Sequence, residues 1–327
     1  MTAPLTPEQY AQASAAEIAA GRLPLSAQWR ISSQRQSSTF TSGLSVDEFA
    51  ALRSIGFTAV GQVMGSAVYN IGWSYTGCGY GWRGGMFATW AGGPAPVVDV
   101  PATRQLIEQA RHRALHRLRQ ECLGLGGDGV VGVRLTVGSF YGNGLEFMAT
   151  GTAIRAVSDD RSGPPGEAPR AGPVASGPPQ PFTSDLTGQD FAKLVRAGWL
   201  PVALVMGVGI ALRHDDWIQM SQQRSWFNQE LAGSTQLVHA ARASARASLD
   251  ADVRRHGGYG VVLRDTVLNV FEVRCQNGGD DAHDHMADAF VFGTALVPLP
   301  DRDTDPAART APLTMLRLNR GADWRTR

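Results

Sequence analysis

The chain contains one passage written twice, and this repeat constrains the fold more than any other feature. "FTSGLSVDEFAALRSIGFTAVGQVMG" starts at Phe40 and "FTSDLTGQDFAKLVRAGWLPVALVMG" starts at Phe182, 142 residues later, with 12 of the 26 paired residues identical. A further pair of related passages starts at Thr103 and Ser234. The recurring residues are mostly apolar residues and glycines, whereas duplicated chemistry would have left matching polar groups. The repeat therefore predicts two copies of one architectural unit.

The repeat also sets the domain boundaries. A chain of 327 residues is long enough for two domains, each with its own core. The segment between the copies is rich in Pro, Gly, Ala and Ser, a composition typical of a linker. The predicted organisation is an N-terminal helical extension (1–39), a first domain (40–157), a linker (158–181), a second domain (182–300) and a polar tail (301–327).

Each copy contains the signals of an α-β-α-β-β unit. A Ser45–Glu48 capping box predicts a short first helix, and an Asn-Gly turn within Tyr141–Gly144 predicts a hairpin between the last two strands. The long helix carries apolar residues at every fourth position, which predicts a single buried stripe. These residues are Leu106, Ala110, Ala114, Leu118 and Cys122.

Three stretches carry a resemblance to a known family: "VGQVMGSAVYNIG", "LGGDGVVGVRL" and "MATGTAIR". The chain resembles the YbjQ family, which is also labelled a heavy-metal-binding domain, in two tandem copies. The resemblance implies an α+β fold of two dodecin-like domains, each with an antiparallel sheet packed on a long helix. It further implies that the partner is the protein itself, in a cyclic homo-oligomer based on pentamers.

Composition narrows the function classes. The net charge is +1, so the chain as a whole offers no electrostatic reason to bind nucleic acid or an anionic membrane. The longest apolar run, from Trp199 to Leu212, is shorter than the roughly 20 residues that span a bilayer. No leader of charged and then apolar residues opens the sequence, which predicts a cytoplasmic protein.

One segment could bind a divalent heavy metal. In "CQNGGDDAHDHMAD", an extended backbone would place Asp281, His283 and His285 on one side, and these side chains suit a divalent ion. Cys78 is the alternative ligand, because it lies in a loop. Against a metal site, the segment has no counterpart in the first copy, and a solvated polar hairpin is the competing interpretation.

The stretch between residues 69 and 93 combines glycines with aromatic residues. Such a loop suits ligand recognition or oligomer contacts, although it could equally fold back over its own sheet. Trp82 and Arg83 could stack on a small molecule and pair with its anionic group, which makes a sensor or enzyme the rival function. The candidate residues are Trp73, Tyr80, Trp82, Arg83 and Trp90.

The remaining motifs argue against enzymatic chemistry. The "GLGGDG" stretch follows a helix and precedes a strand, which is the reverse of a phosphate-binding loop, so it predicts a helix end. The arginines of the long helix predict a solvated basic face, and Cys122 and Cys275 are predicted to lie in the core. Without a nucleophile-elbow or zinc-protease motif, the sequence predicts a non-enzymatic scaffold or binding protein.

Overall fold

The structure, a computed structural model, describes residues 6–37, 41–70, 95–141, 144–157, 180–274 and 283–299. We call 41–157 the first half and 180–299 the second half. Both halves mix helices with antiparallel strands, so the predicted α+β class is confirmed.

Two short helices precede the repeat, and each half then follows a similar order of elements. The helices are α1 (Pro7–Ala19), α2 (Leu25–Gln36), α3 (Val46–Arg53), α4 (Pro101–Gly124), α5 (Gly188–Arg196), α6 (Trp217–Gln223) and α7 (Ala232–Arg255). The strands are β1 (Phe57–Asn70), β2 (Val97–Asp99), β3 (Gly129–Phe140), β4 (Gly144–Ala156), β5 (Phe182–Thr183), β6 (Trp199–His214), β7 (Gly260–Arg274) and β8 (His283–Pro298).

The strands form two sheets of equivalent order. The first is β1-β4-β3-β5 and the second is β2-β6-β8-β7, so β1, β4 and β3 correspond to β6, β8 and β7. These three strands pair antiparallel in both sheets, and each sheet takes one additional short strand at an edge. Register shifts interrupt β1 between Ala59 and Gly61 and β6 between Pro201 and Ala203, at matching positions of the repeat.

The turn that enters each half is also repeated. The Thr152 hydroxyl accepts from the backbone N–H of Gly43 at 3.1 Å, and the Thr294 hydroxyl accepts from the N–H of Asp185 at the same distance. The capping box at Ser45 is present as predicted, and it begins α3. Matching hydrogen bonds at matching positions show that the sequence repeat is also a repeat of local structure.

Each long helix lies close against its own sheet because glycines line the contact. A Cβ atom at Gly65 would overlap the carbonyl oxygen of Ala114 on α4, and one at Gly207 would overlap that of Ala245 on α7. The predicted stripe of α4 is buried from Ala110 to Cys122. Burial raises the pKa of the Cys122 thiol to about 12, so this residue acts as a small apolar group, as predicted.

The Gly-rich stretch ends α4 as predicted. Gly126 adopts a positive φ of 73°, and its counterpart Gly257 at the end of α7 adopts 66°. The left-handed conformation that favours glycine is typical of a helix C-terminus.

Two further predictions concern Cys275 and the membrane. Cys275 lies outside the described residues, so its predicted place in the core stays a prediction. Among the described helices, none combines the length and the apolar character that a membrane span requires.

We predict that Gly207→Ala destabilises the protein by about 1–3 kcal/mol, because the added methyl group pushes α7 away from β6. Chemical unfolding followed by circular dichroism measures the change. Gly138→Ala is the matched control: Gly138 is exposed on β3 and an added Cβ meets nothing within 4 Å, so we expect a change within about 0.5 kcal/mol. Equal effects of the two substitutions would contradict this account of the packing.

Candidate assembly interface

The two halves meet along one continuous surface, in which α4 of the first half lies against β6 of the second. Strand β6 is buried on both sides: one side packs on α7, and the other side joins the same apolar cluster as Ile107 and Leu115 of α4. The residues on this second side are Leu204, Met206, Val208 and Ile210.

Backbone pairing continues this surface along the free edge of β6. Strand β2, which precedes α4, pairs antiparallel with residues Ala211 to Arg213 of β6. The N–H of Val100 donates to the carbonyl of Ile210 at 3.0 Å, and the N–H of Ala95 donates to the Asp216 carboxylate at 2.8 Å. The first half thus supplies an extra strand to the sheet of the second half.

The second half returns the same kind of contact to the first. The segment that contains β5 runs beside the start of β3, where the N–H of Ser184 donates to the carbonyl of Val130 at 2.9 Å. The Thr183 hydroxyl then accepts from the N–H of Leu204 at 3.0 Å, which ties the segment to β6. Both exchanged segments satisfy strand edges that would otherwise be unpaired.

Polar contacts also join α4 to α7. Arg104 donates to the Ser244 hydroxyl at 3.0 Å, and the Ser248 hydroxyl donates to Glu108 at 2.9 Å. Arg111 donates to Asp252 at 2.7 Å. Residue numbers rise together along both helices in steps of three or four, so one side of α4 faces one side of α7 in a parallel arrangement.

The Arg111–Asp252 ion pair is the most buried of these contacts, since only 1% of Arg111 and 2% of Asp252 is exposed. This corrects the prediction of a solvated basic face: Arg111 lies in the interface, whereas Arg113 on the same helix is exposed. Burial opposes ionisation of Asp252, but His112, Arg111 and the N–H of Met206 outweigh it and hold the pKa of this carboxyl well below its usual range.

A cavity of about 650 Å³ remains between the sheets of the two halves. Its walls are mainly apolar and include Phe147, Phe290 and Phe292. Asp185 and Asp288 also line it, and burial raises the pKa of both carboxyls.

The proposed metal segment forms histidine–aspartate pairs instead of a solvated hairpin, at least where it is described. His285 Nε2 lies 2.8 Å from Asp215, and His214 Nδ1 lies 2.5 Å from Asp284. Asp284 is 1% exposed and His285 is 9% exposed, so the interpretation of this stretch as solvated is wrong for these residues. The pairs join the end of β6 to the start of β8. The hydrogen bond that His214 donates to the Asp284 carboxylate raises the pKa of His214.

The described residues do not by themselves fit a metal centre. No group of three or more His, Cys, Asp or Glu side chains among them is placed to hold an ion. His285 already bonds Asp215, while Asp281 and Cys78 lie outside the described residues. The metal set of Asp281, His283, His285 and Cys78 therefore stays a prediction.

The aromatic loop also lies outside the described residues, which resume at Ala95. The residues predicted there for ligand binding or assembly stay predictions. They are Trp73, Tyr80, Trp82, Arg83 and Trp90.

Comparison with known proteins identifies the family of the chain. The chain is 32% identical over 227 residues to the encapsulin nanocompartment protein Rv1762c of Mycobacterium tuberculosis, a match that covers 68% of this chain and 76% of the relative. The chain belongs to the family of this mycobacterial protein.

A smaller unit within the chain matches further relatives. Residues 99–157, which contain α4, β3 and β4, match the YbjQ family, described as "Putative heavy-metal-binding". A UPF0145 protein of Halorubrum lacusprofundi is 43% identical over 51 residues, covering 16% of this chain and 49% of the relative. One of Thermosipho africanus is 33% identical over 69 residues, covering 21% and 59%. The chain thus spans about half of each of these relatives.

Sequence reasoning missed the ion pair at the centre of the interface, although a signal for it was present. Glu121 of α4 recurs as Asp252 of α7, and Arg111 recurs as Arg242, at the same spacing that relates the two long helices. A buried acid and a nearby arginine kept in both copies indicate a shared structural contact.

We predict that Arg111→Leu lowers the free energy of unfolding by about 1–3 kcal/mol at pH 7, because it removes the buried cation of Asp252 and leaves the carboxylate with only the largely exposed Arg255 as a paired arginine. Urea unfolding measures the loss. Arg113→Leu removes the same charge from an exposed position of α4 and serves as the control. If the two variants lost equal stability, the ion pair would not be the cause.

The effect of Arg111→Leu should also depend on pH. The pKa of Asp252 is depressed in the folded protein, so its stabilising contribution is present above the unfolded value of about 4 and is lost as pH falls through the folded value. Without Arg111 the folded carboxyl protonates at higher pH. The stability difference between wild type and variant should therefore shrink below about pH 4, and a constant difference would contradict this assignment.

We expect no stoichiometric zinc, copper or nickel to survive dialysis. Among the described residues, the histidines of this segment do not belong to any group of three His, Cys, Asp or Glu side chains that could hold an ion. Elemental analysis of the wild type and of a His283→Ala/His285→Ala variant tests this. Metal retained by the wild type and lost from the variant would show that the segment is a metal site. Metal retained by both would point to Cys78 or to another part of the chain.

Proposed function

We propose that this protein is a non-enzymatic, self-assembling scaffold built from two tandem YbjQ-type units. The observation that carries the proposal is the interface between the halves, which joins two different surfaces of the repeated unit: α4 with β2 on one side, and β6 with α7 on the other. A long helix and an equivalent edge strand occur in both halves, so the chain carries a second set of these surfaces, in which residues 228–230 stand in place of β2 and form no strand.

An interface between two different surfaces propagates. Each unit that docks leaves its own second surface available, so such contacts generate a ring if the rotation closes and a filament if it does not. The family resemblance favours a closed ring based on pentamers of dodecin-like units. The relative named as an encapsulin nanocompartment protein is consistent with a role in a large protein assembly.

The rival function, a small-molecule sensor or enzyme, rests on the loop at residues 69–93, most of which lies outside the described residues. No described group favours it over assembly. We therefore keep assembly as the proposed function and the aromatic loop as a candidate contact within it.

Multi-angle light scattering over about a hundredfold range of concentration tests the proposal, since association follows mass action. We expect a mass that rises well above the 34.9 kDa of one chain. A mass that stays at one chain over the whole range would overturn self-assembly by the wild-type protein.

A further inference from the structure

Two surfaces of the repeated unit make the interface between the halves, and each exists twice in the chain. We call the surface of β2, α4 and the start of β3 the front face of the first half. We call the outer side of β6 with the adjoining side of α7 the back face of the second half. Among the residues that the structure describes, no such partner covers the corresponding front face of the second half or back face of the first half.

The front face of the second half is exposed along α7. Arg111 is 1% exposed and Leu115 is 2% exposed, whereas their counterparts Arg242 and Arg246 are both exposed. The same helix side is thus buried in the first copy and open to solvent in the second. An arginine at the position of Arg111 is retained there.

The segment before α7 shows the sharpest contrast. Ala95, which precedes β2, is 3% exposed because it lies against Asp216 of the second half. Its counterpart Trp226 is 99% exposed, and the following Phe227 is 84% exposed. Two adjacent large aromatic side chains in solvent are costly to hydrate and typical of an interaction surface.

The start of β7 completes this exposed face. Val131 of β3 is fully buried beneath the segment that contains β5, but its counterpart Val262 is 37% exposed and the next residue, Leu263, is 54% exposed. The strand edge that is covered in the first half is therefore uncovered in the second.

The back face of the first half is open in the same way. Met206 and Ile210 of β6 are 2% and 1% exposed, whereas their counterparts on β1, Met64 and Val68, are 44% and 47% exposed. A complementary pair of unfilled surfaces thus lies on one chain.

The α1–α2 pair partly occupies this back face. Arg30 of α2 forms an ion pair with Glu121, which is the counterpart of Asp252. Both acids also accept from an equivalent backbone group, the N–H of Met64 at 2.7 Å and that of Met206 at 3.1 Å. Arg30 therefore takes the position at Glu121 that Arg111 takes at Asp252.

The helical pair does not fill the surface that it covers. A groove of about 840 Å³ remains between α1–α2 on one side and β1 with α4 on the other. Ile18, Leu23 and Arg30 line one wall, and Met64 and Tyr69 lie opposite. In the second half the corresponding space is filled by α4 and β2.

The two open faces offer one complementary pair of charges, Arg242 and Glu121. Arg242 would meet Glu121, as Arg111 meets Asp252. The back face also carries Arg113 and Arg117, in the positions of Ser244 and Ser248. Within the chain, Ser244 faces Arg104 and Ser248 faces Glu108, and the counterparts of Arg104 and Glu108 in the second half are Thr235 and His239. In the docked pair, Arg113 and Arg117 would therefore face Thr235 and His239, which carry no permanent charge.

We propose that the front face of the second half docks on the back face of the first half of a second copy, and that α1–α2 is a placeholder that this docking displaces. The inference rests on the proposed self-assembly and names its interface. The partner is a second copy because the two open faces occupy the same positions in the repeat as the two faces that already meet within the chain.

Mixing two blocked variants tests the direction of docking. Trp226→Ser/Phe227→Ser/Arg242→Glu blocks only the front, and Met64→Glu/Val68→Glu blocks only the back; all five side chains are exposed in the single chain. We expect each variant alone to show the mass of one chain and the mixture to form a complex of two. Tyr141→Ser removes an aromatic residue that is 86% exposed and lies in neither face, and it should assemble like the wild type.

A charge reversal tests the placeholder in the full chain. Arg30→Glu sets two acids against each other and should release α2 from Glu121, so we expect assembly at a concentration on the order of tenfold lower than for the wild type. Arg35→Glu makes the same charge change at an exposed site of α2 and should leave the concentration unchanged.

The outcomes separate this inference from the proposed function. If the wild type assembles but each blocked variant does so equally well, or if the mixture stays at one chain, the docking surfaces are wrong while self-assembly stands. If Arg30→Glu and Arg35→Glu assemble alike, the placeholder is wrong. If neither the wild type nor Arg30→Glu assembles, both the inference and the proposed function fail.

Discussion

The structure depends on covering one edge strand. Strand β6 is apolar on both sides, and an uncovered strand of that kind exposes apolar surface together with unpaired backbone groups. The first half covers it with α4, β2 and the ion pair of Arg111 with Asp252. This contact joins the two halves through different surfaces of the repeated unit.

Each long helix carries a buried acid near its C-terminal end, Glu121 on α4 and Asp252 on α7. This acid accepts a hydrogen bond from the backbone of its own edge strand, and it also pairs with an arginine from outside its own half. Asp252 obtains Arg111 and Glu121 obtains Arg30. A helix from the N-terminal region thus supplies at Glu121 the kind of cation that the other half supplies at Asp252.

The family label for heavy-metal binding and the described geometry point in different directions. Histidines beside carboxylates are metal-ligand chemistry in the sequence, but His285 and His214 are each engaged by an aspartate across the β6–β8 ladder. Their pairing satisfies buried polar groups at a strand end, which is a structural role.

The sequence alone determined the repeat, the α+β class, the capping box at Ser45 and the buried stripe of α4, because these depend on neighbours along the chain or on the period of a single element. It did not distinguish Arg111 from Arg113, two arginines on one helix with opposite surroundings. Only the tertiary structure decided that difference, and the difference between Ala95 and Trp226. Periodicity reports which side of a helix faces its own sheet, whereas burial by the other half depends on contacts between residues more than a hundred positions apart.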